Sequence, residues 1–169
     1  MSQILNKAME IQTRPDLAGE AKRKERASLV RNLIADNFLS DEMARESLKG
    51  RWESLSPKQQ AEFRQLFTDL FQDSYTRMVL NFLQQENIEY RGESGKGGGR
   101  LVKTVIMRTN EHIPVDYQVV QKGNRWMIND VVIDGVSIVE NYRNSFERVI
   151  RKSSVDDLLK RMKTQRQAL

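Results

Sequence analysis

The sequence contains no cysteine and a single histidine among its 169 residues. Without cysteine, disulfides, thiolate catalysis and thiolate zinc sites are excluded. The histidine, His112, stands beside Glu111 in a predicted turn ahead of Pro114, so a Ser-His-Asp arrangement would depend on one turn residue. The carboxylates show no cluster with the spacing of a metal site. We therefore expect no catalytic residue, no metal centre and no enzyme activity.

Long hydrophobic runs are also missing. No apolar stretch approaches the ~18 residues that a membrane-spanning helix needs. The first seven residues lack the apolar core and the small-residue cleavage site of a secretory leader. We expect either a soluble protein or the mature part of an exported one that carries a start methionine. The length predicts one domain, residues 1–169, which buries roughly 70% of its unfolded surface.

Positive charge exceeds negative charge, with a net charge of +5 and a pI of about 9.6. The basic residues concentrate at 22–31 and 148–166, which suits nucleic acid, an anionic membrane surface or an acidic partner. Neither cluster is interleaved with exposed aromatics that could stack on bases. The glycine loop at 95–99 opens onto a strand and lacks a nucleotide-binding pattern. A basic nucleic-acid-binding module is the alternative from a different class, although we expect no nucleic acid partner.

Apolar residues spaced by three and four predict a helical N-terminal half. Ser40 is expected to cap the third helix and Gly50 to end it. The fourth helix has the strongest start, because Ser56-Pro57-Lys58-Gln59 combines a capping box with proline at the first helical position. The predicted helices are 2–12, about 16–36, 41–48 and about 57–86.

Four strands are predicted next, at 87–92, 100–109, 113–121 and 125–133. Their links are short, so neighbouring strands must pair antiparallel, and the loop at 95–99 forms a hairpin tip. A helix over 138–151 and a last helix capped by Ser154 follow. The order predicts an α+β fold with a curved four-stranded antiparallel sheet and about six helices. The chain is then helical over 1–86, a sheet over 87–133 and helical again over 136–166.

Residues 126–146 connect the sheet to the final helices. The apolar alternation changes phase at Asp130–Val131, which predicts a β-bulge. Asp134-Gly135 predicts a tight turn, after which the spacing becomes helical. An acid on a curved sheet could serve an enzyme, but it would need a second acid or base nearby. We expect Asp130 to anchor the bulge or to bind backbone groups.

Apolar and aromatic side chains are dense on the long helix and on the predicted inner face of the sheet. The pattern alone favours an ordinary packed core. Methionine and phenylalanine adapt their shape, however, so the same side chains could line a cavity for an apolar ligand. The candidate lining residues are Phe67, Leu70, Phe71, Tyr75, Met78, Val79, Phe82, Tyr117, Trp126, Ile128, Val136, Val139 and Tyr142.

The same 126–146 stretch resembles a known family. Trp126, Asp130-Val131, Gly135-Val136-Ser137, Asn141-Tyr142-Arg143 and Phe146 resemble the signature W-x-x-x-D-V-x-x-x-G-V-S-x-x-x-N-Y-R-x-x-F. This is the signature of the MlaC/toluene-tolerance family of periplasmic phospholipid-binding proteins that assist ABC transporters. The resemblance covers roughly residues 36–150.

The resemblance implies a cone of sheet and helices whose apolar cavity holds phospholipid acyl chains, with the headgroup near the mouth. It also implies a periplasmic carrier, without cofactor and expected to be monomeric. Such a carrier shuttles lipid between an outer-membrane lipoprotein–porin complex and an inner-membrane ABC transporter with its MCE-domain ring. The task would be to maintain outer-membrane lipid asymmetry. Transient contact with the membrane surface is a further expectation, and another lipid, such as a hopanoid, is the alternative cargo.

One departure from the family pattern concerns a glycine. The family usually carries Leu-Gly at this point ahead of Trp52, whereas here Lys49 follows Leu48 and the glycine, Gly50, comes one residue later. We therefore expect a different turn into Trp52.

Overall fold

Two helices begin at capping groups that the sequence predicts, but the predicted cap at Ser40 is wrong: Ser40 is the first residue of its helix, Leu39 is the N-cap, and no side chain caps this start. A computed structural model describes residues 10–11, 14–82, 87–96 and 98–167 of the chain. Gln59 N–H donates to Ser56 Oγ over 3.1 Å and Ser56 N–H donates to Gln59 Oε1 over 3.0 Å, which confirms the capping box. The Asp157 N–H likewise donates to Ser154 Oγ over 3.0 Å. The five α-helices of the described residues are α1 (Arg23–Asn37), α2 (Ser40–Leu48), α3 (Pro57–Phe82), α4 (Ile138–Lys152) and α5 (Val155–Gln167).

The N-terminal region departs from the prediction. Of the predicted helix 2–12, only Glu10 and Ile11 are described, and both are helical; the rest lies outside the described residues. Helix α1 begins at Arg23 and not near residue 16, because Gly19 has a φ of 87° and separates two short 3₁₀ turns, Pro15–Leu17 and Glu20–Lys22. The Arg26 guanidinium donates to the carbonyls of Leu17 and Gly19 over 2.6 and 2.7 Å, which holds this segment against the helix.

The turn after α2 is also displaced by one residue. The predicted stop at Gly50 is wrong, because the positive φ, 45°, belongs to Lys49. A 3₁₀ turn, Lys49–Ser54, follows and places Trp52 in the core at 8% exposure.

The sheet is antiparallel throughout, as predicted, but has five strands in place of four. Its order is β1-β2-β3-β4-β5, so each strand pairs with the next along the chain. The fifth strand has two residues and follows the predicted turn, where both Asp134 and Gly135 have positive φ. Two positive φ values are what a two-residue type I′ hairpin requires, so the turn folds the chain back onto β4. The strands are β1 (Asn87–Lys96), β2 (Gly99–Arg108), β3 (Glu111–Lys122), β4 (Arg125–Ile133) and β5 (Val136–Ser137).

A β-bulge in β4 sets which side chains face the helices. Gln118 pairs with Asp130 and Val119 pairs with Ile128, so the extra residue is Asn129, one position before the predicted bulge. Because of this insertion, Ile128 and Val131 both face the helices and are 1% and 0% exposed. We call the face that carries them the inner face of the sheet.

The helices cover the inner face and the outer edge of β4. The Leu39 N–H donates to the Ile128 carbonyl over 2.8 Å, and Phe38 forms a parallel bridge with Ile128. The other end of β4 pairs with β5. The main core lies between the first half of α3 and the helices around it. Its most deeply buried large side chains include Phe63, Leu66, Phe67, Phe71 and Met43.

Candidate functional site

An apolar cavity of about 260 Å³ lies between the second half of α3 and the inner face of β2, β3 and β4. Helix α3 contributes side chains at spacings of three and four residues, which places them on one face. The strands contribute alternate residues, because the period of a strand is two. The lining residues are Tyr75, Met78 and Val79 from the helix, and Ile106, Arg108, Ile113, Val115, Tyr117 and Ile133 from the sheet.

The strand register orders this lining into rows. Arg108 pairs with Glu111 at the end of the β2–β3 hairpin, and Ile106 pairs with Ile113 one row further in. The rows Thr104–Val115 and Val102–Tyr117 follow toward the middle of the sheet. Exposure falls along the same path: both isoleucines are half-buried, whereas Tyr117 is 5% exposed. The cavity therefore has an open end at Arg108 and a closed end at Tyr117.

Two tyrosines supply neutral polar groups at the closed end. The hydroxyls of Tyr75 and Tyr117 are hydrogen-bonded to each other. Burial raises the pKa of Tyr75 to about 12 and holds the pKa of Tyr117 well above its ordinary value of 10.0. The Thr104 hydroxyl donates to the Val115 carbonyl over 2.6 Å. These groups stay uncharged at neutral pH and satisfy one another, so this end of the cavity suits apolar contents.

An aromatic cluster closes the cavity behind Tyr75. The Phe38 ring lies 5.3 Å from Tyr75 and 5.4 Å from Phe71, measured between ring centroids. Phe67 stacks on Phe71 at 6.1 Å. Each of these phenylalanines is at most 6% exposed. The aromatic stripe of α3 therefore forms packed core in its first half and cavity wall in its second half.

The structure brings four of the thirteen predicted lining residues to the cavity: Tyr75, Met78, Val79 and Tyr117. It places Phe67, Leu70, Phe71 and Ile128 in the packed core instead. Tyr142 packs against Phe67 at 5.2 Å and Phe146 at 5.6 Å on the other side of α3. The side chain of Phe82 lies outside the described part of the chain.

Three other predicted residues lie away from this cavity. Trp126 shares the inner side with Ile128, but it is at the start of β4 and is 42% exposed, with the Arg100 guanidinium 5.7 Å from its ring centroid. Val136 is 56% exposed in the short strand β5, because the turn carries it past the covered part of the sheet. Val139 faces a polar groove on the other side of the sheet.

Five lining residues were missed: Ile106, Arg108, Ile113, Val115 and Ile133. Alternation along β2 and β3 could have identified most of them, since every second residue from Val102 to Arg108 shares the inner face. The hairpin register was needed to show that their ends meet the second half of α3.

The polar groove on the outer face of the sheet is larger, about 710 Å³, and is bounded by α2 and α4. Its central acid is occupied by structural hydrogen bonds. Asp130 Oδ1 accepts from the Val131 N–H over 2.8 Å and from the Val139 N–H over 3.2 Å, and the Ser137 hydroxyl donates to Asp130 Oδ2. Asp130 therefore anchors the bulge and the start of α4, as predicted. Because ligand sites are mostly apolar, the smaller cavity is the better candidate.

Two arginines tie α4 to α2 and to the turn that follows α2. The Arg143 guanidinium donates to the Glu46 carbonyl over 3.1 and 2.9 Å. Arg51 and Glu147 form a two-pronged ion pair of 2.6 and 2.7 Å. The Arg51 hydrogen bonds lower the pKa of Glu147 to about 2, so this pair remains charged over the physiological range. These contacts fix the helices beside β4 and leave the cavity at the opposite, β2–β3 side.

The described ranges contain no group of three or more His, Asp or Glu side chains that could hold a metal ion. Within those same ranges, no helix is long and apolar enough to cross a bilayer.

The chain resembles known proteins in both sequence and fold. A family model described as MlaC protein matches residues 2–164. The chain is 25% identical over 154 residues to a protein of Haemophilus influenzae described as the intermembrane phospholipid transport system binding protein MlaC; the match covers 86% of this chain and 72% of that one. A phospholipid-binding protein of Ralstonia solanacearum, solved in complex with a phospholipid, superposes with a TM-score of 0.80. That superposition covers 99% of this chain and 94% of the other at 20% identity, and it confirms the α+β fold.

Proposed function

The chain belongs to the MlaC family, and from this premise we propose that it is a non-enzymatic phospholipid carrier whose cavity between α3 and the sheet holds acyl chains. The observation that carries the proposal is the cavity itself, with eight of its nine lining side chains apolar or aromatic. In the finer form of the proposal, the carrier works in the periplasm. It exchanges lipid with an outer-membrane lipoprotein–porin complex and an inner-membrane ABC transporter, and so maintains outer-membrane lipid asymmetry.

A carrier of this kind solves a solubility problem. A diacyl lipid hides on the order of 30 methylenes, each worth about 0.8 kcal/mol on leaving water, so free diffusion between membranes is negligible. If the cavity solvates the acyl chains about as well as the bilayer does, the free energy of exchange between protein and membrane is close to zero. No bond is made or broken, which agrees with the structural role of Asp130.

The cavity must widen to accept this cargo. Its 260 Å³ lies below the roughly 300–1,000 Å³ of typical ligand sites. Apolar side chains at the open end are already partly exposed: Met78 is 38% exposed, and Ile106 and Ile113 are half-buried. An acyl chain entering between α3 and the sheet would cover this surface, and burial of apolar surface favours the displacement of α3.

The test is lipid loading of a blocked cavity. We expect an organic extract of the purified protein, or of protein incubated with phospholipid vesicles, to contain lipid in near-stoichiometric amount by mass spectrometry. Ile106→Trp places a large ring in the cavity and should lower the lipid content at least fivefold, because little space remains for a chain. Val105→Trp, which adds the same ring to the outer face of the same strand, is the matched control and should load normally.

Three results would overturn the proposal. They are wild-type protein that stays free of lipid after incubation, equal loading of the Ile106→Trp and wild-type proteins, and loss of loading in the Val105→Trp control alone. The mass of the extracted lipid also separates phospholipid from a hopanoid, the alternative cargo.

A further inference from the structure

We propose that Arg108 binds the phosphate group of the lipid at the mouth of the cavity; this inference rests on the function proposed above. Arg108 is the last residue of β2 and lies at the open end of the lining rows. Among the nine side chains that line the cavity, Arg108 is the one with a charge. A cation at the rim of an apolar cavity fits an amphiphile whose polar group carries negative charge.

The Arg108 side chain is held partly out of water. It is 26% exposed, whereas Arg100, at the other end of the same strand and on the same face, is 57% exposed. Its ion pair with Glu111 spans 3.9 Å from Nη1 to Oε2, and Glu111 is 61% exposed. This distance is longer than the ~2.8 Å of a charge-assisted hydrogen bond, so the Glu111 contact itself is a weak, solvent-screened ion pair.

The length of the cavity path agrees with a lipid anchored at Arg108. Val102, which pairs with Tyr117 at the closed end, lies six positions before Arg108 in β2. At about 3.3 Å per residue this path is roughly 20 Å long. One leaflet of a bilayer core is about 15 Å thick, half of the full hydrocarbon thickness. Once the cavity has widened, an acyl chain that starts below a phosphate at Arg108 can therefore extend to the tyrosine pair.

The guanidinium has the geometry that phosphate recognition requires. Its planar fork can donate two parallel hydrogen bonds to phosphate oxygens, and these are stronger beside apolar groups than in water. Ile106 and Ile113 supply such an apolar surface in the next row. Arg108 would select lipids that carry a phosphate over lipids that have the same chains and a neutral head.

Arg100 offers a matched control. It lies on the inner side of β2, eight positions from Arg108, and pairs with Glu93 at 3.0 Å while it covers the Trp126 ring. Its replacement removes the same charge from the same strand without touching the cavity.

The experiment compares lipids that differ in the head alone. Stripped wild-type, Arg108→Gln, Arg108→Lys and Arg100→Gln proteins are titrated with vesicles that contain either phosphatidylglycerol or diacylglycerol of identical chains, and bound lipid is measured by mass spectrometry. For the wild type and Arg100→Gln, we expect preference for phosphatidylglycerol. Arg108→Gln should lose about tenfold or more of its phosphatidylglycerol affinity and keep its diacylglycerol affinity. The phosphatidylglycerol affinity of Arg108→Lys should lie between those of the wild type and Arg108→Gln.

The outcomes separate this inference from the carrier function. If Arg108→Gln loses affinity for both lipids equally, Arg108 has a packing role and the inference is overturned. If Arg108→Gln keeps the wild-type preference for phosphatidylglycerol, the inference is also overturned, but the carrier function stands. Wild-type protein that takes up neither lipid overturns both. Inorganic phosphate is titrated in a separate arm: if it binds through Arg108 as tightly as phosphatidylglycerol does, the site is for free phosphate and the headgroup assignment is wrong. Weak or absent phosphate binding supports the headgroup assignment.

Discussion

At the scale of single residues, Asp130 has the widest structural effect. Its carboxylate accepts hydrogen bonds from two backbone N–H groups and one hydroxyl, on both sides of the Asp134-Gly135 turn. It thereby joins the bulge in β4 to the first residues of α4. The sequence indicated a structural acid here, because no second acid or base could be assigned to it. It could not show that one carboxylate serves two elements.

Asp130→Asn should lower the free energy of unfolding by about 2 kcal/mol, since the variant loses the charge that strengthens three hydrogen bonds and the support of a helix start. Urea denaturation followed by circular dichroism measures the change. Asp134→Asn is the control: Asp134 has a φ of 50°, a conformation that asparagine tolerates well, and it is exposed. The control should differ from wild type by less than about 0.5 kcal/mol. Equal effects of the two substitutions would contradict the role given to Asp130.

On α3, the sequence pattern identified three residues that line the cavity and could not separate them from the residues of the packed core. A spacing of three and four residues shows which side chains share a face, and Tyr75, Met78 and Val79 were identified from it. The same spacing does not show at which point along the helix axis the packed core ends and the cavity begins. Phe67 and Phe71 therefore resembled cavity residues, although other helices cover the first half of α3 and bury them.

At the scale of elements, the turn between α2 and Trp52 is strained. Lys49 has a φ of 45° and a ψ of −122°, a backbone conformation that favours glycine. The glycine nearest to this residue, Gly50, stands one position later. Gly50 does not have a positive φ, and a Cβ added to it would meet nothing within 4 Å.

Lys49→Gly should stabilise the protein by about 1 kcal/mol, because the strain of a non-glycine residue at this φ is relieved. Gly50→Ala should be neutral or slightly stabilising, since an alanine fits this backbone and restricts the unfolded chain. Both are measured as shifts of the urea midpoint at constant slope. If Gly50 were the helix stop, as the sequence pattern predicted, the second substitution would destabilise the protein and the first would have little effect.

Elements that depend on residues close together in the sequence were predicted correctly, whereas elements that depend on distant contacts were not. The starts of α3 and α5 depend on side chains within three residues, and the hairpins depend on adjacent strands, so both were predicted. The strand β5 and the bridge from Phe38 to Ile128 depend on contacts that form after the sheet has assembled. Neither contact has a local sequence pattern that could predict it.

At the scale of the whole molecule, the two basic clusters of the sequence meet on one acidic pair. Arg31 of α1 pairs with Asp73 and lies 3.8 Å from Asp69 on α3, and Arg166 of α5 reaches the same Asp69 at 3.2 Å. In the fold, part of both clusters holds three helices together. Such convergence joins residues that are 97 positions apart, as between Asp69 and Arg166, and local charge patterns cannot show it.

Lipid occupancy should therefore change the stability of the whole domain, because the cargo binds only between folded α3 and the folded sheet. A ligand present at 100 to 1,000 times its dissociation constant stabilises the native state by about 3–4 kcal/mol. For a domain of this size, that corresponds to a rise in Tm of roughly 6–16 °C. Differential scanning calorimetry of stripped and reloaded wild-type protein measures it.

The control for this last prediction is the blocked cavity. Ile106→Trp, treated identically with vesicles, should show the same Tm before and after loading, whereas Val105→Trp should gain stability as the wild type does. A rise in all three proteins would point to lipid on the protein surface, since surface contact does not depend on the cavity. A rise in none would mean that the cavity does not hold the cargo, because a ligand that binds only the native state must stabilise it.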